Sequence, residues 1–355
     1  MLDQIRAEHR YRELPARQLS GVVDFSSNDY LGLATDPQVV EALKRATRVG
    51  SGGARLLAGR HREHALLEEE LAVWLGRERA LLFSSGYHAA VGAIPVLAQF
   101  VATIFSDRLN HASLIDGTRL SRVPHAIYEH GRMPPSARDP RLVVSETIFS
   151  MEGDAIDVVG LLAGCGAGDI LLLDEAHALG VAGPGGAGLA RELEDSRLVV
   201  LGTLSKALGT HGGFIAGPAR VVELLVNQAR SFVFDTALPP ALGLAGRVAL
   251  LLAGRADERR ARLRANVARL SDGLGAIGFP TLQPAGAIVP LLLGDEERAL
   301  SLAAQLLERR IFVPAIRPPT VPPGTSRLRF SVRADHTTEQ IDRTVEELRR
   351  CIAIL

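Results

Sequence analysis

Several stretches of this chain are unbroken apolar runs that stop at a polar group: Leu142-Val143-Val144-Ser145-Glu146, Ile170-Leu171-Leu172-Leu173-Asp174 and Val199-Val200-Leu201-Gly202-Thr203. A strand with one wet face alternates apolar and polar side chains. An unbroken run reads instead as a strand covered on both faces, the pattern of a mostly parallel sheet with helices packed on each side. Ala80-Leu81-Leu82-Phe83 and Thr103-Ile104-Phe105-Ser106-Asp107 fit the same description, and helical stretches separate the runs. The chain therefore reads as α/β on a mostly parallel sheet. In such sheets ligands sit beyond the carboxyl ends of the strands, so the residues just after each run carry the functional information.

Those residues are chemically varied. His111 follows one run, Ser150 another, Asp174 and His177 a third, Thr203 and Lys206 a fourth. One such turn can be structural; several bearing hydroxyl, imidazole, carboxylate and ammonium groups are hard to explain as packing. Lys206 is the only charged residue between Arg197 and Arg220, and the chain has only one other lysine, Lys44. An ammonium among small apolar neighbours loses hydration, which lowers its pKa and suits it to act as a nucleophile, a base or a Schiff-base former. A lysine that snorkels to water from a loop fits the local sequence equally well; the company it keeps at the sheet edge favours chemistry. Ser84-Ser85-Gly86-Tyr87, between a strand and a helix expected to begin near His88, is the kind of turn whose free N–H groups hold a phosphate.

Other classes are disfavoured. Forty basic and forty acidic residues cancel, so nothing in the charge balance points to nucleic acid or an anionic membrane. Residues 80–106 lack any Asp, Glu, Lys or Arg, but Ser84-Ser85-Gly86-Tyr87-His88 and Pro95 interrupt them, and strand, turn and buried helix fit better than a membrane span. Gly183-Pro184-Gly185-Gly186-Ala187-Gly188 matches G-x-G-x-x-G without a preceding strand or a following acidic residue at the right offset, and reads as a loop. His61 and His64 have no second ligand cluster; they read as exposed helix histidines, and no metal is expected. Cys165 and Cys351 are far apart and read as reduced and inert. The polar, charged start of the sequence suggests no secretory signal, and a cytoplasmic location is expected.

The sequence divides into an N-terminal segment at 1–40, a large domain at 41–240 and a smaller α+β domain at 241–355. A long helical stretch from Pro239-Pro240 to about Asp272 marks the last boundary. Strands are expected around 288–292 and 327–330, and helices near 296–309 and 338–350. Between them, Ala315-Ile316-Arg317-Pro318-Pro319-Thr320-Val321-Pro322 is a stiff loop suited to clamp a carboxylate or acyl chain.

A strand-end aspartate, a histidine, a phosphate-type turn and an isolated lysine together fit pyridoxal phosphate. The sequence resembles the α-oxoamine synthases, pyridoxal-phosphate enzymes that condense an amino acid with an acyl thioester and release carbon dioxide. The resemblance is carried by Asn28-Asp29-Tyr30-Leu31-Gly32-Leu33, Ser84-Ser85-Gly86-Tyr87, His111-Ala112-Ser113, Phe149-Ser150-Met151-Glu152-Gly153-Asp154, Asp174-Glu175-Ala176-His177 and Thr203-Leu204-Ser205-Lys206. It implies the fold-type I aminotransferase-like class. Arg317-Pro318-Pro319-Thr320 with Gly324-Thr325-Ser326-Arg327-Leu328-Arg329 is most similar to the branch that condenses L-alanine with a pimeloyl thioester, on coenzyme A or a carrier protein, in biotin synthesis.

The resemblance implies that Lys206 carries the cofactor and moves protons at the substrate Cα, that Asp174 pairs with the ring nitrogen, and that His111 stacks on the ring and contacts substrate. His177 and Ser150 would bond the ring oxygen and its surroundings, and Gly86, Tyr87 and Thr203 the phosphate. Thr236 would reach the phosphate of a neighbouring subunit in a homodimer. Thr320 and Arg317 would lie near the substrate, with an N-terminal arginine, Arg10 or Arg12. Rival readings are an aminotransferase, another α-oxoamine synthase such as a glycine C-acetyltransferase, and a cofactor-binding protein without catalysis.

Overall fold

The apolar runs are strands of one seven-stranded sheet, in the order Arg79–Phe83, Gly213–Gly217, Leu198–Thr203, Ile170–Asp174, Arg141–Glu146, Thr103–Asp107, His125–Tyr128. Gly213–Gly217 is antiparallel to both neighbours; the other pairings are parallel. The computed structural model describes residues 2–7, 10–12, 20–136, 139–280 and 283–353.

The unbroken runs follow from cover on both faces. Leu142, Val144, Leu172, Val199 and Leu201 belong to one buried cluster, with Ala89, Ala93 and Ile94 of the helix Gly86–Leu97. Val143, Leu171, Leu173, Leu198 and Val200 belong to another, with Val158, Leu161 and Leu162 of the helix Val158–Ala163. Successive side chains of one strand thus serve opposite layers. Each fully buried Leu or Val contributes about 1.5–3 kcal/mol relative to exposure, and the inner strands of the sheet place them in both layers.

Two units divide the chain. The larger comprises Leu31–Phe149 and Ala155–Arg260 and contains the seven-stranded sheet. The smaller comprises Met1–Tyr30, Ser150–Asp154 and Ala261–Leu355. Its three-stranded antiparallel sheet runs Ala315–Ile316, Ser326–Ser331, Ile288–Gly294, and Val23–Asp24 pairs in parallel with Ile311–Phe312. The helices Glu296–Glu308 and Thr338–Ile352 fall where their sequence pattern predicts; Asp295 caps the first, and a Thr337/Gln340 capping box opens the second.

Three local expectations change. The helical stretch after Pro239 is two helices, Pro240–Gly254 and Asp257–Ala276, broken after Gly254 and restarted by the acidic first turn Asp257-Glu258. The helix expected near His88 begins at Gly86, because the Ser85 hydroxyl accepts the His88 N–H and caps it. His64 is buried rather than exposed: its Nε2 donates to Leu238 O at 2.7 Å and its Nδ1 accepts the His61 N–H at 3.2 Å. Cys165 and Cys351 are free and buried. Among the described residues, no helix is long and apolar enough to cross a membrane, and no group of His, Cys, Asp or Glu is placed to hold a metal ion.

Candidate active site

The parallel strands end together. Glu146 is in register with Asp174, and Asp174 with Leu201, so the turns after these strands share one edge of the sheet. Asp174 closes its strand as a buried carboxylate that accepts the Ala176 N–H at 2.9 Å. Burial lifts its pKa, while the nearby charge of Lys206 and the Ala176 bond pull it back down. His177 follows in the same turn, and its Nε2 lies 2.8 Å from Lys206 Nζ. A protonated Lys206 can only donate, so His177 Nε2 is then the acceptor and its Nδ1 carries the hydrogen.

Lys206 projects from a short closed loop. Leu204 N–H donates to Gly212 O at 2.9 Å, Gly209 N–H to Lys206 O at 2.8 Å, and Thr210 N–H to Leu204 O at 3.0 Å. Gly209 has φ +62°, a conformation that favours glycine, and a Cβ there would fall 2.2 Å from Ala34 N. The side chain is half-buried.

His111 caps the helix Ala112–Ser121, its Nδ1 accepting the Ser113 N–H at 3.2 Å and lying 2.8 Å from Ser113 Oγ. Its backbone N–H donates to Glu146 Oε1 at 2.6 Å. His111 keeps an exposed edge, yet lost hydration around the ring and the charge of Lys206 lower its pKa against the pull of Asp174. The ring is neutral at neutral pH, with Nδ1 as acceptor and the hydrogen on Nε2.

The turn Ser84-Ser85-Gly86-Tyr87 meets the end of the strand Leu198–Thr203. A Cβ on Gly86 would stand 3.4 Å from Thr203 Cβ, and one on Gly213 would fall 2.3 Å from Gly86 N. Two glycines thus let the helix start, Thr203 and the strand Gly213–Gly217 close together. Thr203 Oγ1 donates to Gly212 O at 2.9 Å and lies 2.7 Å from Ser205 Oγ. The Gly86 and Tyr87 amides, at a helix start, have no intrahelical acceptor. Thr236 is exposed and forms an isolated bridge with Ala54.

These observations fit pyridoxal phosphate. A buried carboxylate at a strand end is costly without a cation, and a protonated ring nitrogen supplies one. An amine held beside an imidazole suits the carbonyl, and a glycine-lined helix start with a flanking hydroxyl suits the phosphate.

The remaining candidates belong to the smaller unit. Arg12 Nη2 donates to Thr320 Oγ1 at 2.9 Å, and Arg317 Nη2 reaches Tyr11 O at 3.5 Å. Of the two N-terminal arginines, Arg12 is the one whose guanidinium meets Thr320; the Arg10 N–H donates to Ile5 O. Burial and then the charge of Arg12 lower the Arg317 pKa, against Glu296. Two guanidiniums and a hydroxyl in one cluster suit an anionic or strongly polar ligand.

Ser150 carries its own surprise: its carbonyl accepts Arg329 Nε at 2.5 Å. Arg329 is buried, and its other donors reach Asn28 Oδ1 at 3.3 Å and Ser331 Oγ at 2.8 Å. Tyr30, near the same guanidinium, is pushed up to about 12 by burial and stays a neutral phenol. A buried cation bonded to neutral oxygens can take a carboxylate. Sequence reasoning missed Arg329 and Glu146 as functional candidates. The available signal for Arg329 was Arg327 and Arg329 two apart on an otherwise apolar strand; for Glu146, a carboxylate ending an apolar run.

Known proteins resemble this chain over most of its length. Residues 20–348 match the profile of the family Aminotransferase class I and II. The chain is 48% identical to the 8-amino-7-oxononanoate synthase of Anaeromyxobacter dehalogenans (strain 2CP-1 / ATCC BAA-258), covering 92% of this chain and 86% of that protein. It is 41% identical to that of Thioalkalivibrio sulfidiphilus, covering 98% and 95%. A high-resolution structure of SPT with its PLP internal aldimine superposes with a TM-score of 0.87 at 31% identity, over 94% of this chain and 88% of that one. The 8-amino-7-oxononanoate synthase of Francisella tularensis superposes at 0.79 with 26% identity, over 94% and 99%. The fold is that of the fold-type I pyridoxal-phosphate enzymes. With this identity over nearly its whole length, the chain belongs to the class I and II aminotransferase family and, within it, to the pyridoxal-phosphate-dependent acyltransferases of the 8-amino-7-oxononanoate synthase family.

Proposed function

We propose that the protein condenses L-alanine with a pimeloyl thioester, releasing carbon dioxide and the free thiol and forming 8-amino-7-oxononanoate. The observation that carries this reading is the contact of Lys206 Nζ with His177 Nε2 beside the buried Asp174, in a chain so similar to 8-amino-7-oxononanoate synthases. Pyridoxal phosphate supplies the electron sink that makes loss of a proton or of carbon dioxide at an amino-acid carbon feasible.

In this reading each side chain has a defined task. Lys206 holds the cofactor through its amine and then moves the proton at the alanine Cα, with His177 keeping the amine in place. Asp174 holds the ring nitrogen in its protonated form, a task that suits a buried carboxylate, whose desolvation a directly paired cation offsets. His111, neutral and fixed by Ser113 and Glu146, stacks its imidazole on the cofactor ring and offers Nε2–H to the substrate. The Gly86 and Tyr87 amides receive the phosphate, joined by the Thr203 hydroxyl when its hydrogen turns from Gly212 O to the ligand. Ser150 contributes its carbonyl to the orientation of Arg329, whose buried guanidinium suits a carboxylate. Arg12, Arg317 and Thr320 receive the acyl donor, whose far carboxylate suits their charge. Thr236, exposed, acts across a homodimer on the partner's phosphate site.

The test is to mix the holoprotein with L-alanine and pimeloyl-CoA, then with pimeloyl-carrier protein, and follow free thiol and the product mass. Thiol release in step with 8-amino-7-oxononanoate supports the reading. Thiol release only with glycine and acetyl-CoA, or amino-group exchange without a thioester, would replace it with one of the rivals.

A further inference from the structure

Ser84, His88 and Asp235 form a cluster that the functional reading leaves unused. Ser84 Oγ donates to Asp235 Oδ2 at 2.5 Å and is hydrogen-bonded to His88 Nδ1, which itself lies 3.3 Å from Asp235 Oδ2. With the Ser84 hydrogen spent on Asp235, Ser84 Oγ accepts from His88, so the His88 hydrogen sits on Nδ1. This is no hydrolytic triad: serine and aspartate meet the same ring nitrogen, so no base faces the serine from the far side of the ring.

The position of the cluster gives it meaning. Ser84 and His88 bracket Ser85-Gly86-Tyr87, and the His88 N–H is the one that Ser85 Oγ caps. Ser231 Oγ adds a bond to His88 O at 2.6 Å. Asp235 precedes Thr236, and the chain beyond it is fastened elsewhere: Ala237 N–H donates to Gly53 O at 3.0 Å, Ser51 Oγ to Ala237 O at 2.8 Å, and His64 Nε2 to Leu238 O at 2.7 Å. Asp235 therefore ties a fixed segment to both ends of the turn. Its own charge, placed on an anion-binding turn, would oppose a phosphate; Ser84 and His88 face it and take up that charge.

We infer that Asp235, acting through Ser84 and His88, is a positioning residue that holds the turn 84–88 in its phosphate-receiving shape. This rests on the reading of Gly86, Tyr87 and Thr203 as the phosphate seat.

The test compares affinity for pyridoxal 5'-phosphate with that for pyridoxal, which lacks the phosphate, by titrating the apoprotein and following visible absorbance. Asp235→Ala should weaken pyridoxal phosphate by roughly three- to tenfold, the scale of one hydrogen-bonded contact, and leave pyridoxal unchanged. Asp235→Asn, which keeps an acceptor for Ser84, should recover most of that loss and guards against a variant that merely folds poorly. Equal weakening of both ligands, or no weakening of either, overturns the inference. Thr203→Val is the control on the seat. If it selectively weakens pyridoxal phosphate while Asp235→Ala does not, the seat stands and the positioning role falls. If Thr203→Val changes neither ligand, the seat falls and this inference with it.

Discussion

Lys206 Nζ and His177 Nε2 stand 2.8 Å apart on turns that follow neighbouring parallel strands. The pair shares one hydrogen bond, and the buried Asp174 lies within electrostatic reach of the lysine. An amine in this setting is held by groups whose positions the sheet itself fixes.

Borohydride reduction of the holoprotein should therefore fix the cofactor to the chain at Lys206. Lys44, the only other lysine, is exposed at the end of the helix Pro37–Lys44 and should stay unmodified. Peptide mass spectrometry reads both sites. Label at Lys44 alone would contradict the assignment, and Lys206→Ala should take up none.

Asp174→Asn should keep cofactor but lose most of its power. Exchange of the alanine Cα proton for deuterium, followed by NMR without any thioester, should slow by about 10²-fold or more, the scale of a lost electrostatic partner. An unchanged exchange rate would remove Asp174 from the chemistry.

The cluster of Arg12, Arg317 and Thr320 should act on the acyl donor alone. Arg12→Ala or Thr320→Val should raise KM for pimeloyl-CoA by about tenfold, as expected for one charge-assisted bond. Alanine Cα exchange in the absence of donor should not change. A shift in alanine KM with no shift for the thioester would reverse the assignment.

His64 gives stability a pH dependence. Burial, then the charge of Arg55, lowers its pKa to about 4 from 6.5, although its bond to Leu238 pulls upward. Its Nδ1 must accept the His61 N–H, which only the neutral ring can do. Between these values the unfolded chain binds a proton that the folded chain does not. Stability is full above pH 6.5 and falls as the pH drops toward 4. From pH 7 to pH 5 the loss from this residue is about 2 kcal/mol. His64→Gln, which donates and accepts without titrating, should remove that increment from urea unfolding curves measured at the two pH values; an identical acid loss in the variant would show that another group is responsible.

Ile170–Asp174 and Leu198–Thr203 were legible because a strand buried on both faces needs no polar alternation. The same rule hid Gly213–Gly217, whose end glycines look like a loop. Gly213 is required because the strand passes too close to Gly86 for a side chain, and no local pattern encodes that approach. The edge strand His125–Tyr128, with Ile127 exposed, lacked the apolar signature for a similar reason: it pairs on one side only. His64 misled because its partner, Leu238, is 174 positions away. Lys206, Asp174, His177 and His111 could be read as a group because each closes or follows a strand. Arg329 lies within its strand, and its partners Asn28 and Ser150 come from distant stretches, so its role depends on contacts rather than spacing.

The closed loop from Thr203 to Gly213 has a kinetic consequence. Its cross-bonds confine the lysine backbone to one place, so Nζ explores only the reach of its own side chain. A tethered group of this kind presents itself at an effective concentration of order millimolar or more, whatever the amine content of the surroundings. With the cofactor on Lys206, as proposed, an incoming amino acid would compete with a rival that never diffuses away, recapture after product release would be intramolecular, and the resting enzyme would keep its cofactor between turnovers.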